Sequence, residues 1–205
     1  MGFIDKYLIP KQVDFVRTLG EQTAVAGEMM EALLEACAAD DHNRLERVDE
    51  LGNAARELKS RNMERLLDVF ITPYDKESIY RMITQLDWIA LSVKHFKLEA
   101  TVYPDASLVS YSPAVETLRG MVQLLEEGLD MLASHDLRQI AASNRQIHES
   151  YDHVVTLCSR ASAEIADREL REVLSRRDLF RQLREIAKRI HITANTLEDM
   201  AIKVS

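Results

Sequence analysis

Apolar residues recur along this chain at alternating steps of three and four, over six long stretches. The cleanest is Leu137, Ile140, Asn144, Ile147, Tyr151, Val154, Cys158, Ala161 and Ile165. A second follows Asp167, with Leu179, Leu183, Ile186, Ile190, Thr193, Leu197, Met200 and Val204. Such spacing places the apolar side chains on one face of an α-helix. Four earlier stretches, at about residues 11–39, 44–70, 75–102 and 112–135, carry the same pattern. The first includes Val13, Val16, Leu19, Met30, Leu33 and Leu34. The stripes break at Asp40-Asp41-His42-Asn43, at Thr72-Pro73 and at Tyr103-Pro104-Asp105-Ala106-Ser107. A repeat near 3.5 residues packs long helices side by side at shallow angles, as in antiparallel bundles. No segment alternates with period two, so the pattern predicts an all-α fold, more than roughly two thirds helical, without strands.

The junction between the second and third stretches, residues 66–93, is the most informative. Phe70-Ile71 closes an apolar run, and Thr72-Pro73 stops it because the residue before proline is pushed out of the α region. Asp75 is placed to cap a new helix, with Glu77 adding negative charge in its first turn. Ile79, Ile83, Leu86, Ala90 and Val93 then form one stripe.

The two halves resemble each other. LGNAAREL at 51–58 aligns with IHESYDHV at 147–154, and QLDWIALSV at 85–93 with QLREIAKRI at 182–190, at offsets of 96 and 97 residues. Leu51 pairs with Ile147, Leu58 with Val154, Leu86 with Leu183, Ile89 with Ile186 and Val93 with Ile190. The near-constant offset predicts six long antiparallel helices in two tandem three-helix bundles. Residues 1–205 then form one domain, with pseudo-repeats 1–103 and 104–205.

Composition narrows the function classes. Apolar residues make up 46% and charged residues 29%, typical of a packed protein and unlike a disordered one. A net charge of −8 disfavours contact with phosphate backbones, so nucleic acid is not an expected partner. No run approaches the ~18–20 apolar residues of a membrane span, so no membrane insertion is expected. Met1 is not followed by a basic and then apolar leader, which makes the cytoplasm the expected location. Cys37 and Cys158 read as small buried hydrophobes in a reducing compartment.

The segment Phe70-Ile71-Thr72-Pro73-Tyr74-Asp75-Lys76-Glu77-Ser78-Ile79, followed by Leu86-Asp87, resembles the PhoU-like phosphate-transport regulators. It is most similar to their short branch found beside Pit-type phosphate transporters. The resemblance implies a tandem three-helix-bundle fold and a non-enzymatic regulator that docks on a phosphate transporter or a sensor protein.

It also implies a place to look for metal. Proteins of this kind carry E-x-x-x-D or D-x-x-x-D motifs on the second and third helix of each bundle, where oxygen ligands cage cations. Those slots fall here on Gly52 and Arg56, on Asp87 and Leu91, on His148 and Asp152, and on Arg184 and Lys188. Only Asp87, His148 and Asp152 are capable ligands. No cofactor is therefore expected beyond, at most, a single weakly bound divalent metal. Arg56 is expected to face Asp87, and Asp152 to face Arg184 and Lys188, as ion pairs in place of metal. The alternative is that these are ordinary solvated positions flanking the helix seams.

No catalytic constellation stands out. His148-Glu149-Ser150-Tyr151-Asp152 has Asp where a zinc-protease helix needs its second histidine, and His153 lies at the wrong phase. The six glycines are isolated, which excludes Gly-rich phosphate loops. The chain is read as a non-enzyme, with a helical metal-binding or metal-storage protein as the rival class. Trp88, one step off its stripe, is a candidate interface anchor for a homodimer or higher homo-oligomer. Phe3, Ile4, Tyr7 and Leu8 form an apolar N-terminal turn expected to tuck onto the first helix or to dock on a partner. Asn144, a polar residue in a seam, is expected to fix register.

Overall fold

The boundaries of the helices are written in their caps. The structure is a computed structural model, and it describes residues 13–104 and 106–204. Asp14 accepts a hydrogen bond from the Arg17 amide, so α1 spans Phe15–Ala39 and starts later than the apolar pattern suggested. Asp40 ends it in the left-handed conformation, φ 52°, which Asp tolerates better than most residues. A 3₁₀ turn, His42–Leu45, leads into α2, Glu46–Asp68. Asp75 accepts from the Ser78 amide and hydroxyl, both at 3.0 Å, and opens α3, Lys76–Val102. Its carboxyl is held below the ordinary range by these bonds, the Ser78 amide first.

A second 3₁₀ turn, Val109–Tyr111, precedes α4, Ser112–Leu132, whose first turn accommodates Pro113 because that amide would be unpaired anyway. Asp136 caps α5, Leu137–Glu164, and α6, Leu170–Ile202, completes the fold. Helix accounts for 86% of the described residues, and there is no strand among them.

Side-chain pairs fix the directions of the helices. Thr18, Glu21 and Glu28 of α1 meet Asn62, Arg61 and Arg47 of α2 in reverse order, so the two are antiparallel. Asp49 and Asp87 likewise link α2 and α3 through Lys97 and Lys59. Asn144 and His148 of α5 meet Glu198 and His191 of α6.

Helices α1–α3 form one bundle and α4–α6 the other. The halves join along α1 with α4 and along α3 with α6, again antiparallel: Glu31 pairs with Arg119, Glu99 with Arg181, and Arg81 with Asp199. One continuous core runs through both. Tyr111, at the end of the second 3₁₀ turn, is fully buried in it, edge-on to Phe96 of α3 and Phe180 of α6. The stripe Ile79, Ile83, Leu86, Ala90 and Val93 is buried throughout, and of the ten aligned positions of the two halves only Leu58 is not fully buried.

Phe70 and Ile71 do not close the apolar run against the core. Helix α2 stops at Asp68, and both side chains face solvent, because Val69 is already extended and turns the chain away. The 103–107 break interrupts the helices as expected, with Asp105 outside the described residues. The N-terminal turn of Phe3, Ile4, Tyr7 and Leu8 also lies outside them.

Candidate functional site

On the α2–α3 face, the four slots come near one another, but lysines fill the space between them. Gly52 is buried under the stem of Lys94: a Cβ there would sit 2.5 Å from the Lys94 Cδ. The missing side chain gives Lys94 a groove that leads toward Asp49, and its Nζ lies 3.9 Å from that carboxylate. Lys97 binds the same carboxylate at 2.5 Å. Asp87 pairs with Lys59 at 2.9 Å, not with Arg56 as expected. Lys59 lies three residues beyond Arg56, and its flexible stem reaches across the seam. Arg56 is exposed and takes part in no ion pair among the described residues.

A multinuclear metal cluster of the kind the resemblance implies does not fit this face. Its oxygen donors are reduced to Asp49 and Asp87, each already neutralised by ammonium groups, and a divalent ion beside three lysines is repelled.

The α5–α6 face is built differently. Asp152 is exposed and pairs with neither Arg184 nor Lys188. Instead His148 Nδ1 lies 2.8 Å from His191 Nε2, a hydrogen bond between rings on facing helices. Tyr151 stacks on the His191 ring, centroids 5.3 Å apart and 18° from parallel. One turn along, the Asn144 amide donates to Asn195 Oδ1 at 3.2 Å and to Glu198 Oε2, and the Asn195 amide nitrogen lies 3.4 Å from His191 Nε2. Asn144 thus ties the seam, as its place in the stripe suggested. Burial pushes the pKa of His191 down, with the neighbouring His148 adding to this and Asp152 opposing it.

His191 and Glu198 were missed in the sequence because they fall outside the i, i+4 slots carried over from the resemblance. His191 stands one turn past Lys188, on the same face. Among the described residues, no three His, Cys, Asp or Glu side chains converge to hold a metal ion. What this face offers is an imidazole pair with one nearby carboxylate.

Trp88 is 39% exposed, and the Arg189 guanidinium lies 4.7 Å over its ring. Arg189 also pairs with Glu185 at 2.6 Å. This stack joins α3 to α6, so Trp88 serves the seam between the bundles and keeps one edge in solvent. Cys37 and Cys158 are fully buried, and burial raises their thiol pKa values to about 12 and about 11. Neither is a ready thiolate.

At the far end of the molecule, a cleft of about 460 Å³ is lined by Tyr103, Ser107, Glu169, Arg171, Glu172 and Arg176, among others. Two arginines face two glutamates there, and Arg176 is tied to Glu172 at 3.3 Å. Among the described residues, no helix is long and apolar enough to cross a membrane.

No protein-family model matches this sequence, and neither does any curated protein sequence. Solved structures do match. A PhoU-like protein from Shewanella oneidensis superimposes with a TM-score of 0.77 at 14% identity, over 92% of this chain and 100% of that one. Another from the same organism, described as a PhoU-like phosphate regulatory protein, gives 0.78 at 14% identity, over 93% and 100%. PhoU from Pseudomonas aeruginosa gives 0.63 at 16% identity, over 90% and 93%. Because the likeness spans nearly the whole of each chain, the fold of this protein is the PhoU-like fold.

Proposed function

We propose that this protein is a non-enzymatic regulator of phosphate transport, acting through protein–protein contacts along its helical faces. The observation that carries this reading is the full-length match to PhoU-like proteins, one of them described as a phosphate regulatory protein. The side-chain chemistry supports it. The α2–α3 and α5–α6 faces present charged, hydrogen-bonded helix surfaces suited to contact with another protein. The partner class is a phosphate transporter or a phosphate sensor on the cytoplasmic side, and a Pit-type transporter is the partner suggested by the turn motif.

The test is genetic and physical. Disrupting the gene should change radiolabelled phosphate uptake at least about twofold in phosphate-replete cells. Cross-linking in cells should capture a phosphate transporter or sensor. Unchanged uptake with no such capture overturns the proposal. We also propose a homodimer or larger assembly, with the free edge of Trp88 in the contact; sedimentation equilibrium giving 23.4 kDa at micromolar concentration contradicts it.

The His148–His191 pair favours one second reading, a helical protein that takes a single divalent ion there with Asp152 nearby. Protein purified without chelator distinguishes the two. Stoichiometric zinc, iron or manganese that His191→Ala abolishes favours metal binding. Substoichiometric metal favours the regulator alone.

A further inference from the structure

Helix α3 is apolar on two opposite sides. The side made by Ile79, Ile83, Leu86, Ala90 and Val93 is buried in the core. The other carries Tyr80, Thr84, Trp88, Leu91, His95, Leu98 and Val102, at steps of four, four, three, four, three and four. Such steps keep side chains on one face of a helix, here over about 33 Å of its length. Tyr80 is 52% exposed, Leu98 54% and Val102 64%, and with Trp88 they are all the exposed large apolar side chains of α3. Thr84 already donates its hydroxyl to the Tyr80 carbonyl at 2.9 Å. A helix side that meets only water is ordinarily polar. An exposed apolar stripe of this length marks a contact surface.

The order of the residues says what fits it. Leu91 stands at the middle, and the stripe reads nearly the same in both directions. Tyr80 and Val102 lie eleven residues to either side, Thr84 and Leu98 seven, and Trp88 and His95 three and four. A second, antiparallel α3 therefore meets Tyr80 with Val102, Thr84 with Leu98, and Leu91 with itself, the self-complementarity that a two-fold contact requires. The charges bordering the stripe agree. Arg81 and Glu99 lie on its α6 side, where they pair with Asp199 and Arg181. In the same register Arg81 falls opposite Glu99 of the second copy. Asp87 falls opposite Lys94 on the α2 side. A parallel pair would set each charge beside its own like. A strip 33 Å long and two helix diameters wide covers about 700 Å², close to the ~800 Å² per partner of a stable interface.

We propose that two copies of the chain meet along this stripe of α3, antiparallel about a two-fold axis at Leu91, which rests on the homodimer proposed above and gives it a surface and a register.

Sedimentation of the full chain tests the surface. The parent should be a dimer at micromolar concentration, and Leu98→Ser, Val102→Ser should weaken self-association at least about tenfold. Both residues face away from the core, so the far-UV dichroism of this variant should match that of the parent. A parent mass of 23.4 kDa overturns the surface together with the homodimer. A dimer that the variant leaves unweakened overturns the surface alone.

Charge exchange and cross-linking test the register. Arg81→Glu and Glu99→Arg should each weaken the dimer, and the two together should return it to within about threefold of the parent. Each new charge then meets its opposite across the axis, whereas the intrachain partners Asp199 and Arg181 are both lost, so a purely intrachain role gives additive losses. Under mild oxidation, Thr84→Cys mixed with Leu98→Cys should form an interchain disulfide at least about fivefold faster than either variant alone, since the antiparallel register brings those two Cβ atoms together. Cys37 and Cys158 are buried and do not compete. Additive losses on charge exchange, or Thr84→Cys cross-linking best with itself, overturn the proposal.

Discussion

Asn62 and Gln22 show how individual polar residues set the register of the first bundle. Asn62 is fully buried and donates to the Thr18 carbonyl and to Gln22 Oε1, and Gln22 Nε2 donates in turn to the Ile83 carbonyl at 2.9 Å. This chain of bonds crosses from α2 through α1 to α3. Asn62→Ala leaves Gln22 Oε1 buried without its donor and should cost about 1–3 kcal/mol in urea unfolding, and adding Gln22→Ala should cost less than the sum of the single changes.

The His148–His191 pair makes a second prediction at this scale. In the folded protein His191 titrates below its ordinary 6.5, because burial and His148 disfavour its charge more than Asp152 favours it. The unfolded chain therefore binds more protons in the window below 6.5, and stability falls as pH drops through that window. Tm should decline from pH 7.5 to pH 5.5, and His191→Gln should flatten part of the decline. An identical pH profile for the variant contradicts the assignment.

Among the elements, the seams between helices depend on where a side chain is missing as much as on where one is present. At Gly128 of α4, an added Cβ would stand 3.0 Å from Leu197 Cδ2 of α6. The glycine admits α6 at that distance. Gly128→Val should overpack the α4–α6 contact and destabilise by about 1–3 kcal/mol, read from the midpoint of chemical unfolding. Gly52 is different, because what fills its space is the flexible stem of Lys94. That stem occupies the space over one of the acidic slots of the resemblance, and Gly52, Arg56 and Leu91 bring no carboxylate to the others. The variant Gly52→Glu, Arg56→Asp, Leu91→Asp adds three carboxylates around Asp87. It should gain metal-dependent stabilisation, whereas the Tm of the parent should stay within about 1 °C on adding chelator, since only a metal that favours the folded state adds stability.

For the molecule as a whole, the continuous core through α1 with α4 and α3 with α6 leaves neither bundle an independent interior. Tyr111, between Phe96 and Phe180, belongs to both. The chain should therefore unfold in one cooperative step. Trp88 fluorescence, reporting the seam, should coincide with far-UV dichroism, reporting all six helices. Two separated transitions would mean that the bundles are separate folding units.

The all-helical class, the number of long helices, most of their boundaries and the buried stripes are legible in the sequence alone. These depend on local spacing and on caps such as Asp75 and Asp136, which act within one turn of the chain. The resemblance carried by the 70–79 turn likewise pointed to the fold that the structural matches support. Tertiary structure alone decided which charged groups meet. Lysine and arginine stems span several ångströms, so Lys59 could replace Arg56 at Asp87 without any change in the apolar pattern. The same holds for His191, whose partnership with His148 depends on how α5 and α6 are set against each other, and for Phe70 and Ile71. Their hydrophobicity predicts burial, but the extended Val69 turns them to the surface at the end of α2.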